Sequence, residues 1–143
     1  MLVSQILKEK GDLVFTASPN ETMSAAAALL HSRRVGAMVI VDEHEEVVGI
    51  LSERDVVRLV AEQGSAGLSQ PIAAWMTRDV LVAGPHESAC LLLERMTDRR
   101  VRHLPVLSAN RLVGIVSIGD LVKSKIAETE AEAETLKAYI SAG

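Results

Sequence analysis

Residues Gly49–Asp55 read GILSERD, and Gly114–Asp120 read GIVSIGD. Each is entered through a similar apolar phrase, VVGIL at Val47–Leu51 and LVGIV at Leu112–Val116. An apolar run that breaks into Ser-x-x-Asp predicts a strand ending where a helix begins, with serine as the cap and the acid one turn in. Written once, the phrase marks an ordinary strand–helix junction. Written twice, 65 positions apart, it predicts a duplicated unit.

The duplication extends outward from the septets. At a shift of 66, VFTASPNE (Val14–Glu21) lies on VLVAGPHE (Val80–Glu87), and the RRV of Arg33–Val35 lies on that of Arg99–Val101. One position is then lost between Asp42–Glu46 and Ser108–Arg111, both polar and turn-like, where a change of length leaves strand register intact. In each copy a short strand (Val14–Thr16, Val80–Val82) ends at Pro19 or Pro85, and a helix follows with Thr22 or Ser88 as N-cap. The apolar stripes Met23, Ala26, Ala27, Leu30 and Ala89, Leu92, Leu93, Met96 mark one buried face. Two strands joined by a turn (AMVIV then VVGIL; HLPVL then LVGIV) and a last helix complete the unit. Pro105, inside HLPVL, removes one ladder bond and predicts an edge or a bulge there.

The order is β-α-β-β-α in each copy, an α+β class. The expected division is 1–62 for repeat 1, 63–78 for a linker and lead-in, 79–124 for repeat 2, and 125–143 for a C-terminal helix. VSQILKEKG near the N-terminus weakly resembles IAAWMTRD in the linker, as a lead-in to each repeat. Neither repeat alone can bury a strong core, so the two are expected to pack together.

Bulk properties narrow the function. The chain has 143 residues, 48% of them apolar and 24% charged, as expected of a folded globular protein. Phe15, Trp75 and Tyr139 are its only aromatic residues, so the core is aliphatic and base-stacking platforms are nearly lacking. A formal charge of −4 argues against nucleic acid. Cys90 stands alone, which excludes an internal disulfide and any Cys-x-x-Cys site. No apolar run approaches the roughly 18 residues of a membrane span, and a cytoplasmic location without membrane attachment is expected. His31, His44, His86 and His103 show no metal-ligand spacing. Neither Gly-x-Ser-x-Gly nor Gly-x-Gly-x-x-Gly is present, and no catalytic role is expected.

The septets admit two readings. As capping boxes they only start helices, although such boxes prefer the longer Glu or Gln. As sites they offer free amides and a positive dipole end to a phosphate, a serine hydroxyl as a further donor, and an aspartate able to accept both hydroxyls of a ribose.

Taken together, the two β-α-β-β-α repeats, with VGAMVIVDEHEEVVGILSERDVV and VRHLPVLSANRLVGIVSIGDLV at their centres, resemble a tandem pair of cystathionine-β-synthase-type (CBS) domains, a Bateman module. The likeness covers about residues 3–124. It implies repeats packed through their sheets with pseudo-twofold symmetry, and a regulatory module that binds an adenine nucleotide and acts on a separate, unidentified protein. AMP is the first expectation, with ADP, ATP, NAD(H) and S-adenosylmethionine as alternatives. The resemblance assigns the sugar to Asp55 and Asp120, with hydroxyls from Ser52 and Ser117. It assigns the base to Thr16, Ala17, Val82 and Ala83, beside backbone at Ala37, Met38, His103 and Leu104, and phosphate to Arg54, Arg102 and His103. The copies differ there: Gly36 and Ala37 stand where Arg102 and His103 do, and Gly119 stands where Arg54 does. As the end of a helix, Arg99–His103 reads equally well as a solvated basic patch.

In the tail, Ile126, Ala133 and Ile140 step by seven, as do Thr129 and Leu136, a short a/d seam. With the family's habit of pairing modules into a four-repeat disc, this predicts a homodimer. A ligand-free interaction module and a small nucleotide-using enzyme remain the rival functions.

Overall fold

The computed structural model describes residues 1–142 and has the expected α+β character. In chain order the elements are α1 (Val3–Lys10), β1 (Thr16–Ala17), α2 (Met23–Arg33), β2 (Ala37–Val41), β3 (Val47–Ser52), α3 (Glu53–Gln63), α4 (Ala89–Arg99), β4 (His103–Ser108), β5 (Arg111–Ser117) and α5 (Ile118–Ala142). Two 3₁₀ turns, Ser65–Ser69 and Ile72–Ala74, lie between α3 and α4.

The chain forms two compact units. One holds Leu13–Leu81 with Ala109–Leu112; the other holds Met1–Asp12, Val82–Ser108 and the described chain from Val113 on. Thus α1, which precedes the first repeat, packs with the second, and the segment that precedes the second repeat packs with the first.

In the first unit β1 runs parallel to β2, and β2 runs antiparallel to β3 with Ala37 opposite Ser52. Thr22 caps α2 by accepting from the Ala25 amide at 3.1 Å. The helix stops in a Schellman turn: Arg34 sits at φ 54° and the Val35 amide donates back to the Leu30 carbonyl. The second unit repeats this with Ser88 accepting from Leu91, Arg100 at φ 54°, and Val101 donating to Met96. The shared RRV is therefore a helix stop. The predicted stripes are buried at Met23, Ala26 and Leu30, and at Ala89, Leu92 and Met96, with Ala27 and Leu93 half-buried.

One expected strand is displaced and another is missing. The first forms at Thr16–Ala17 rather than Val14–Thr16, and Val80–Val82 forms no strand. Val39 donates its amide to Phe15 at 3.1 Å. Pro105 holds the corresponding place in β4 and has no N–H to donate, so the ladder shrinks to a bridge at Ala83. The length change between copies falls in the turns, as expected. Asp42 Oδ1 accepts from the His44 and Glu46 amides in the longer one. In the shorter one Ala109 and Asn110 both take positive φ, as a tight hairpin turn requires.

Each septet begins with glycine because a lead-in residue packs on it. A Cβ on Gly49 would stand 2.5 Å from Met76 Sδ, and one on Gly114 would stand 2.7 Å from a Leu7 methyl. The backbone bonds match too. Ile72 and Ala73 donate to Glu21 and Pro19, while Val3 and Ser4 donate to Glu87 and Pro85. Leu59, Met38, Leu51 and Ile72 fill the first core; Leu104, Val116, Leu121 and Val3 are fully buried in the second unit.

Candidate functional site

Both septet aspartates sit at the junction their sequence predicts, and both close a capping box despite their short side chains. The Ser52 amide donates to Asp55 Oδ2 at 2.9 Å, and the Ser117 amide to Asp120 Oδ2 at 2.8 Å. Ser117 Oγ accepts from the Asp120 amide at 3.1 Å. Ser52 Oγ lies 3.4 Å from Asp55 Oδ2. The box orients each carboxylate across the start of its helix, with one oxygen engaged by backbone.

In the first unit the strand ladder carries other candidates to the junction. Ala37 pairs with Ser52, and the Glu53 amide donates to the Gly36 carbonyl at 3.0 Å. Thr16 and Ala17 lie further along β2, opposite Val39 and Ile40. Ala17 and Ala37 are buried and Met38 is fully buried, backbone included; Thr16 and Arg54 are exposed. In the second unit the Ile118 amide donates to the Arg102 carbonyl at 2.8 Å, tying that segment to the start of α5. Arg102 and Val82 are exposed, His103 is half-buried, and Ala83 and Leu104 are buried. Arg99 and Arg100, by contrast, belong to the helix end.

Three basic residues that the repeat pattern did not single out shape these places. Lys10, the last residue of α1, donates to Asp120 Oδ2 at 2.7 Å and to the Ile115 carbonyl at 2.8 Å. Burial pushes the Asp120 carboxyl up, but the Lys10 ammonium and the Ser117 amide outweigh it and hold the group below its usual range. Arg58 approaches Asp55 Oδ1 at 3.4 Å, donates to the Trp75 carbonyl at 3.1 Å and lies 4.8 Å over the Trp75 ring. Arg95 donates to Glu87 and to the Val82 carbonyl at 2.9 Å, while Glu87 accepts from the Gly84 amide at 2.8 Å. That clamp fixes the segment expected to meet a base, and the Arg95 hydrogen bond is the main reason Glu87 is held below its ordinary range. In the first unit the Ser18 amide donates to Glu21 Oε2 at 2.7 Å, and Leu29 stands in the place of Arg95. Lys10 and Asp120 are 110 positions apart, and no local pattern could have joined them.

Among the described residues there is no cluster of three or more His, Cys, Asp or Glu side chains able to hold a metal, and no helix long and apolar enough to cross a membrane. The arrangement orients one carboxylate across the start of each helix, where the box and the Gly36 and Arg102 carbonyls already take most of the first amides.

Comparison with known proteins agrees with this architecture. The profile of the CBS domain matches residues 11–62 and again 72–126. A mitochondrial CBS domain-containing protein of Arabidopsis thaliana, CBSX3, is 31% identical over 99% of this chain and 72% of its own length. YhcV of Bacillus subtilis is 33% identical over 82% of this chain and 83% of its own. Among solved structures, the CBS-domain protein ATU1752 of Agrobacterium tumefaciens superposes with TM-score 0.84 at 41% identity, covering 87% of this chain and 92% of that one. The CBS domain pair of protein MJ0100, solved in complex with methylthioadenosine and S-adenosyl-L-methionine, superposes with TM-score 0.80 at 28% identity, covering 90% and 98%. Two matched repeats, two capped septets and relatives of matching extent place this chain in the CBS-domain family.

Proposed function

We propose that this CBS pair is a sensor of an adenosine-bearing ligand, AMP first among the candidates, that passes a conformational change to a separate protein in the cytoplasm. CBS pairs are in general regulatory, ligand-binding modules, and the MJ0100 pair holds two adenosine compounds. The observation that carries the reading here is the duplicated, backbone-oriented aspartate at a strand–helix junction, a diol acceptor at the positive end of a helix. Arg54, exposed one residue before Asp55, supplies a cation for a phosphate at the first septet; Arg102 and His103 are the corresponding candidates in the second unit. No catalytic role is part of the reading.

A thermal-shift panel of AMP, ADP, ATP, NAD, NADH, S-adenosylmethionine and methylthioadenosine on wild type, Asp55→Asn and Asp120→Asn tests it. Ligand at about 100 times its Kd stabilises the native state by about 2.7 kcal/mol, and the shift should vanish in the variant whose site is used. If no adenosine compound moves the wild type, the septets are helix caps and the chain is an interaction module. The closed capping boxes favour that second reading.

We further propose that α5 pairs with a second copy of the chain. Val122, Ile126, Thr129, Ala133, Leu136 and Ile140 recur at alternating steps of four and three, and all six are exposed. In a parallel pair in register, Lys125 faces Glu130 of the second copy and Glu132 faces its Lys137, so both of these charged flanking pairs are of opposite sign. Sedimentation of Leu136→Glu with Ile140→Glu should show a monomer where the wild type is a dimer.

A further inference from the structure

We propose that Lys10 gates the second septet: a ribose diol engages both oxygens of Asp120 only by displacing the Lys10 ammonium, which loosens the end of α1. The inference rests on the reading of the septets as sugar sites and goes beyond it by making the two sites unequal.

The two units satisfy the same groups by different means. In the first, the carbonyl of Ile50, the residue after the septet glycine, accepts from the backbone amide of Thr77 at 2.9 Å, because the lead-in there has become extended. In the second, the lead-in is still helical at the corresponding point. The Lys10 ammonium donates to the Ile115 carbonyl at 2.8 Å and, with a second donor hydrogen, holds Asp120 Oδ2 at 2.7 Å. Counting on from the equivalent pairs Val3 with Ile72 and Leu7 with Met76, the residue matching Lys10 in sequence is Asp79, an exposed acid instead of a cation.

Asp120 Oδ2 thus carries both the Ser117 amide and the ammonium. The Lys10 and Asp120 side chains are 31% and 24% exposed, so the pair is only partly screened by water. The cation at Asp55 is a weaker neighbour: Arg58 stands 3.4 Å away, on the same helix, and is committed to Trp75. Both oxygens of Asp55 are engaged as well, Oδ2 by the Ser52 amide and Oδ1 by Arg58, and its side chain is 14% exposed. A diol there displaces one long contact, whereas one arriving at Asp120 meets a close ion pair. Displacement has a structural outlet. Gly11, directly after Lys10, sits at φ 98° with open space around it, while the other end of α1 stays anchored through Val3, Ser4 and Leu7. Opening would release the last turn of α1 and leave its first turns in place.

The test is calorimetric titration of AMP and of adenosine into wild type, Asp55→Asn, Asp120→Asn, and Asp55→Asn with Lys10→Met. On a protein reduced to its second site by Asp55→Asn, Lys10→Met should tighten adenosine binding about tenfold. Equal or weaker binding with Lys10→Met overturns the gate while leaving the sugar-site reading standing. Absence of binding to the wild type overturns both. A readout on Asp55→Asn with Lys10 retained guards against misfolding of the Lys10 variant. Saturating AMP should speed hydrogen exchange at the Lys10 and Gly11 amides several-fold, and unchanged or slower exchange overturns the gate.

Discussion

The two septets share one capping geometry and differ in what the chain lays beside them. At Asp55 the lead-in pairs as a strand, Thr77 with Ile50, and the nearest cation comes from the septet's own helix. At Asp120 the lead-in stays helical and sends a lysine across. A second contrast lies one layer deeper. Leu59 fills the first core from α3, whereas the corresponding position of α5 is Ser124, buried with its hydroxyl against Met1 Sδ at 3.1 Å. A third is the strand Pro105 curtails. Duplication has preserved the elements that fold locally, and the divergence lies where each unit meets its lead-in.

The largest effect that sharpens this contrast is expected at Leu59. Its side chain is fully buried, and Leu59→Ala should cost about 2–5 kcal/mol through lost transfer energy and a residual cavity. Ser124→Ala removes only a weak contact and should cost well under 1 kcal/mol. Urea unfolding of the two variants measures both, and equal losses would break the claimed difference between the cores. Next are the glycines. Gly114→Ala drives a Cβ into both Leu7 methyls, at 2.7 and 2.8 Å, and should cost about 1–3 kcal/mol. Gly49→Ala meets Met76 Sδ and Cγ, whose unbranched chain can swing aside more readily than a leucine fork, and should cost less, though the Thr77 carbonyl at 3.2 Å limits the relief. The order of the two melting temperatures decides which lead-in is the stiffer.

What could be read from the sequence, and what could not, follows from contact range. The Thr22 and Ser88 caps, the septet boxes and the polar turns involve residues two to four apart, so a duplicated local pattern was enough to place them. The helix stops at Arg34 and Arg100 are equally local, yet in the sequence the repeated RRV marks only the duplication, and the left-handed turn at its second arginine is visible only in the structure. Pro105 announced a lost ladder bond, but the cost to Val80–Val82 depended on which strand lay beside it. The tail and the last helix of repeat 2 turned out to be one helix, α5, because nothing between Ser117 and Ala142 interrupts it. Lys10 on Asp120, Arg58 on Trp75 and Arg95 on Val82 depend on tertiary packing, where no periodicity operates.

The smallest predicted effect concerns acid. Asp120 and Glu87 both belong to the unit of the second repeat, and both are held below their ordinary values of 3.8 and 4.5. A carboxyl with a depressed folded pKa binds its proton more readily when unfolded. Its stabilising contribution is therefore complete above the ordinary value and is lost as pH falls through the folded one. The second-repeat unit should accordingly begin to lose stability near pH 4.5, first through Glu87, then near 3.8 through Asp120. Hydrogen exchange followed from pH 6 to 3 resolves the units separately. Arg95→Met should remove the upper part of that dependence, since the Arg95 hydrogen bond is its largest cause. Lys10→Met should weaken the lower part, because burial, the largest influence, raises Asp120 and only the Ser117 bonds would remain to oppose it. An acid profile unchanged by Lys10→Met would mean that the lysine does not hold the carboxylate in solution, and the inequality of the two septets would then rest on Arg58 alone.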